Sequence, residues 1–214
     1  MALEATGGAP SPAPTTVEAV ANAFTSSNGD IRETLRALFA TSAFVDSVDQ
    51  KFTRPSEYLA GLVRALAPDT GYPPDLGQTW FYAQNTLGQI PFYWPTPDGY
   101  PDEQSYWAST GGLLNRWRLS FLSLDIPSIL NLGILDIDYL PMLAGADTLA
   151  TVVDATVEAV LMRQILSEHR DSILEWLKDY FNVTEDEVLA PGGPEFAAAL
   201  IAAVLVSSLY FHLR

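Results

Sequence analysis

The chain of 214 residues carries a formal net charge of -15, with 26 acidic side chains against 11 basic ones, and no cluster of Lys or Arg interrupts that field. Phosphate backbones and anionic lipid surfaces are repelled by it, which excludes nucleic acid as a partner. Cysteine is absent, so disulfides, thiolate nucleophiles, Cys-ligated zinc and covalent haem attachment are excluded as well. The 48% hydrophobic and 17% charged content belongs to a chain that folds, with length for one substantial core. Residues 1–15 are expected to form a flexible Ala/Pro tail and residues 16–214 a single helical domain.

The opening stretch MALEATGGAPSPAPTT has neither a basic start nor an apolar run of signal-peptide length. Val17, Val20, Ala21 and Phe24 then form one helical stripe, and Ile31, Leu35, Leu38 and Phe39 a second. SSNGD separates them and ends in Asp30 as an N-cap, so the two pack as a hairpin. A third helix starts at Pro55, lines up Tyr58, Leu59, Leu62, Val63 and Leu66, and stops before Pro68. Leu76, Trp80, Ala83 and Leu87 share a face of a fourth. A fifth, capped by Ser109 or Thr110, is expected to turn Leu113, Leu114, Trp117, Phe121 and Leu124 inward.

Short turns follow Pro127. Leu149, Val152, Val153, Val157 and Val160 mark the next helix, and Ile173, Leu174, Leu177 and Phe181 the one after. Thr184 to Glu187 read as a capping box for one more turn, and Pro194 opens a terminal helix. Phe196 to Leu213 is a nearly uncharged stretch at the lower edge of membrane-spanning length, expected as a buried helix with membrane association as the lesser alternative. Nothing alternates with period two. The fold expected is all-α, an irregular bundle of about eight helices with a long ordered Pro/aromatic loop.

These segments, in this order, carry a resemblance. VEAVANAFTSSNGDIRETLRALFATSAF, KFTRPSEYLAGLVRALA, LGQIPFYWPTPDGYPDEQSYWASTGGLLNRWRLSF and PEFAAALIAAVLVSSLYFHLR are similar to the C-terminal part of the domain of unknown function 1800 family of bacterial proteins, over residues 16–214. Its most specific pieces are Gly29 to Ile31, Lys51 with Arg54 and Pro55, and the Pro-rich loop leading to Trp107, Ser109, Thr110, Leu113, Leu114 and Arg116. The resemblance implies an all-helical fold and frequent export, beside a sulfatase-like partner family, and it implies no established activity. The resemblance also implies longer relatives with an upstream helical half, whose place the Ala/Pro tail is expected to take here.

Chemistry-bearing constellations are few. Of 24 aromatic residues, 11 lie between Trp80 and Phe121, and the loop 91–107 supplies the candidate ligand or partner residues Tyr93, Trp94, Asp98, Tyr100, Asp102 and Trp107. Two readings stay open for it. Flat rings beside carboxylates suit a sugar or peptide platform, and rings with prolines also suit a strap clamped across the fourth and fifth helices. The Ser109 to Gly112 helix start reads as an ordinary cap, and DGYPDE as a turn that lacks calcium-loop spacing. His169 and His212 stand outside any metal pattern, and Asp136 with Asp138, or Asp186 with Glu187, read as solvated faces. No nucleophile, phosphate-loop, zinc or dinucleotide motif is present, so neither cofactor nor metal is expected.

The function expected is a non-enzymatic structural or protein-interaction module, a subunit of a larger assembly. A carbohydrate ligand on the aromatic loop is the alternative. A homo-oligomer or another protein subunit is the expected partner. The terminal helix, apolar almost all round, is expected to place Leu205 and Leu209 at that interface.

Overall fold

The computed structural model describes residues 12–66, 76–123 and 137–213. Residues 1–11 of the expected tail, Pro68, Leu124, the turns after Pro127 and Asp136 lie outside the described residues. Within them the chain is all-α. Eight long helices are α1 (Pro14–Ser26), α2 (Ile31–Phe39), α4 (Pro55–Leu66), α5 (Leu76–Leu87), α7 (Thr110–Ser123), α9 (Leu149–Leu161), α10 (Ser167–Phe181) and α11 (Gly193–Ser207). Four single turns join them: α3 (Ser42–Val45), α6 (Gln104–Trp107), α8 (Leu140–Leu143) and α12 (Leu209–His212). Among the described residues the only strand-like pairings are two isolated bridges, Phe52 with Leu213 and Thr148 with Val188.

Helix α11 is the axis of the molecule. Ala197, Ala198, Ala199, Ile201, Ala202, Ala203, Leu205 and Val206 are all buried, and α7, α8, α9 and α12 pack around it. Five alanines let neighbouring backbones approach closely, so a helix apolar on every side is covered by its own chain. This corrects the expectation for Leu205, which is 2% exposed in the core rather than at an interface. Leu209, the first residue after the break at Ser208, is exposed. That break divides the apolar stretch, and no helix among the described residues is long and apolar enough to cross a membrane.

The stripes of α4, α9 and α10 point inward as their spacing predicts. Thr148 and Thr151 cap α9 reciprocally, each hydroxyl accepting from the other's backbone N–H. The capping box expected at Thr184 to Glu187 is half formed: Glu187 accepts from the Thr184 N–H at 3.2 Å, but no helix follows. The segment instead pairs with the start of α9, through Ala150 N–H to Glu185 O and Leu189 N–H to Asp147 O, both 2.9 Å. Those backbone groups are thereby withdrawn from a helical turn.

Helix α7 departs further from expectation. Leu114, Trp117 and Phe121 are exposed, whereas Arg116, Leu119 and Ser120 are buried. The Ser120 and Ser207 hydroxyls meet at 2.6 Å, and the Trp117 indole donates to Ser207 O at 2.9 Å from the rim. A small hydroxyl at this crossing admits α11, which Trp or Phe would hold off.

The α1–α2 hairpin forms as predicted, with the Asp30 carboxylate accepting from Arg32 N–H at 2.8 Å and Glu33 N–H at 3.2 Å. Its apolar stripes, however, stay open. Neither helix contributes a single buried residue, and Val17, Phe24, Ile31, Leu35 and Phe39 are all exposed. Below it, Arg163 ties the following loop to the body by binding Asp49 at 2.5 Å and Tyr210 O at 2.6 Å.

Candidate functional site

The Pro-rich loop between α5 and α7 is held by its own rings. The Tyr100 hydroxyl donates to Ile90 O at 2.9 Å and accepts from Ile90 N–H at 3.1 Å, closing residues 90–100 into a ring. Buried Trp107 donates its indole N–H to Pro101 O at 2.8 Å. Trp94 packs on Tyr100 with ring centres 4.7 Å apart, Tyr100 on Trp107 at 5.9 Å, and Tyr106 edge-on against both tryptophans. Such interlocked, tilted pairs give a loop without regular hydrogen bonding a fixed shape.

Two tight turns project from this cluster. At Thr96 to Gly99 the Asp98 carboxylate takes a hydrogen bond from the Thr96 hydroxyl, which holds its carboxyl below the usual range, and Gly99 supplies the positive φ of 76°. At Ile90 to Tyr93 the Tyr93 N–H donates to Ile90 O at 3.1 Å across Pro91 and Phe92. Tyr93 and Phe92 stand out in solvent, with Tyr93 edge-on to Phe81 of α5. The six loop residues singled out by sequence therefore divide: Trp94, Tyr100 and Trp107 build the clamp, Tyr93 and Asp98 face outward, and Asp102 reaches the body of the protein.

Asp102 joins the loop to the body by pairing with Arg54. Around that pair, Gln89 accepts from Ser56 N–H at 2.9 Å, Glu57 from Arg54 N–H at 2.9 Å, and Lys51 lies 3.8 Å from Glu57. Beneath it sits a group that the apolar periodicity did not reveal. Arg116 is 1% exposed, and no carboxylate among the described residues pairs with it. Its guanidinium donates to Thr53 O at 2.6 Å and Thr53 Oγ1 at 3.1 Å, and faces His212 Nδ1 at 3.4 Å. The rings of Phe52 and Tyr58 lie 4.4 Å and 5.1 Å from its centre.

Burial dominates the electrostatics here. It lowers the Arg116 pKa to about 10 and raises that of Tyr58 to about 12. Burial, and then the charge of Arg116, push His212 down to about 4. A neutral imidazole accepting from arginine at Nδ1 must carry its proton on Nε2, which is buried. By contrast His169 is exposed and contacts the Tyr210 hydroxyl at 2.8 Å. The two motif segments at 51–58 and 88–116, remote in sequence, are thus one structural unit, closed by residue 212.

A comparison with protein families matches residues 8–212 to DUF1800, a protein of unknown function. The chain belongs to this family. In this DUF1800 chain the match covers nearly every residue, reaching into the Ala/Pro segment upstream of where the resemblance began. No curated protein and no solved structure matches it. Among the described residues of this DUF1800 chain, no group of three or more His, Asp or Glu converges as a metal site would require.

Proposed function

We propose that this chain is a non-enzymatic protein-interaction module, a subunit of a larger assembly, and that it docks its partner on the α1–α2 hairpin. One observation carries the reading: two amphipathic helices expose Val17, Phe24, Ile31, Leu35 and Phe39 and bury none of them. Between the helices runs an open, largely apolar groove of about 500 Å³ lined by Val17, Val20, Ala21, Phe24 and Leu38. Exposed apolar surface of this continuity is uncommon on soluble monomers, and a helix laid in such a groove is a recurrent mode of recognition.

Light scattering and hydrophobic-dye binding on the chain and on a Phe24→Glu/Leu35→Glu variant test the proposal. The wild type is expected to associate or bind dye, and the variant to melt at the same temperature while doing neither. A monomer of 23.3 kDa that binds no dye defeats it. A carbohydrate ligand is the second reading, supported by the half-exposed ring of Tyr106 beside Trp94. Tryptophan fluorescence that responds to oligosaccharides separates the two.

A further inference from the structure

The turn at Ile90 to Tyr93 breaks a local rule without any gain to the fold. Pro91 fixes the first central position at negative φ, and Phe92 follows at φ +66° with the 90-to-93 hydrogen bond in place, the pattern of a type II turn. That second central position belongs to glycine or asparagine, because a side chain in the left-handed region meets its own backbone. A bulky ring there stores strain. Nor does packing offset it, since Phe92 is 104% exposed, as open as in a free peptide. The turn has no freedom to hide the ring, because Tyr100 grips Ile90 at both its N–H and its C=O.

The surroundings specify what the ring can meet. The next residue, Tyr93, is also exposed and meets the exposed ring of Phe81 edge-on at 6.5 Å, and Phe81 in turn meets Tyr82 at 6.1 Å. Residues 76–109 contain Asp98, Asp102 and Glu103 and not one Lys, Arg or His. Asp102 is taken by Arg54, and Asp98 and Glu103 form no ion pair among the described residues. An aromatic anchor in a stretch whose charged side chains are all acidic repels anionic membranes and acidic proteins and attracts cations, which also favour the faces of the tyrosines.

We infer that Phe92 is the preformed anchor of a second binding surface, which seats in an apolar pocket of a protein segment bearing Lys or Arg at its rim. The surface is separate from the hairpin groove and stands whether or not that groove has a partner. Anchors of this kind are large rings presented in a fixed pose, so that little freedom is lost on binding.

A random 12-residue peptide library, displayed on phage, is selected on the wild-type chain and then counter-screened on Phe92→Gly. Enrichment of peptides that combine Leu, Phe or Trp with Lys or Arg is expected, with at least tenfold weaker binding to Phe92→Gly. That variant is expected to melt no lower than wild type, because glycine suits the turn. The inference is overturned by any of four outcomes: no enrichment, equal binding to the variant, enrichment of acidic peptides, or a melting temperature lowered by several degrees. Phe92-dependent binding to phosphatidylcholine vesicles or chitohexaose, in place of peptide, overturns it too.

Discussion

Arg116 illustrates how a charge is kept in a core with no carboxylate paired to it among the described residues. Its planar fork satisfies two oxygens of Thr53 while ring faces of Phe52 and Tyr58 take up the remaining surface. Removing it takes the donor from the buried Thr53 carbonyl and hydroxyl and from His212 Nδ1, at about 1–3 kcal/mol for each group left unsatisfied. Arg116→Met is therefore expected to cost on the order of 3 kcal/mol in urea denaturation. Arg116→Lys should recover little, since an ammonium cannot address both oxygens in one plane. His212 gives the pH dependence. Its pKa lies at about 4 in the fold against an ordinary 6.5, so between those values the unfolded chain binds the extra proton. Stability is then complete above pH 6.5 and declines as the pH falls toward 4. Melting curves across that window should be flatter for His212→Gln than for wild type.

At the level of single helices, α4 and α9 were legible and α7 was not. Tyr58, Leu59, Leu62, Val63 and Leu66 recur at helical spacing, and every one is buried. On α7 the same rule chose Trp117 and Phe121, the largest apolar side chains, over Arg116 and Ser120. The partners that make those polar residues internal are Thr53, 63 positions upstream, and Ser207, 87 downstream, and no local period contains them. Arg116 did stand in a motif of the resembled family, and that was the one signal pointing to it. Helix α11 teaches the complement: an all-round apolar helix needs cover, and the cover was already in the chain. Leu205→Ala should accordingly cost about 2–5 kcal/mol, as for buried leucines in general, and Leu209→Ala within about 0.5 kcal/mol. For α2, Asp30→Ala is expected to cost on the order of 1 kcal/mol by loss of its two capping bonds. Thermal denaturation of the three variants side by side checks all of these.

For the molecule as a whole, burial is uneven. Helices α9, α10 and α11 hold much of the core, and α1 and α2 hold none of it. Native-state hydrogen exchange should find α1 and α2 opening at far lower free energy than α11, and equal protection would show that the hairpin is covered. For the aromatic loop, rings and prolines left a platform and a strap both open. Which rings would be spent on holding the loop, and which would be left free, depended on Tyr100 reaching back ten positions to Ile90. The site under that loop also sets an order of events during synthesis. Thr53 is already made when Arg116 is added, but His212, which completes the enclosure and bonds back to Thr53 N–H at 2.7 Å, comes 96 residues after Arg116. At ~5–20 residues per second that interval is roughly 5 to 20 s. Throughout it Phe52, Tyr58 and the buried side of α7 lack the helix that covers them, so the nascent chain must wait, with its N-terminal half open to chaperones, for its last helices to arrive.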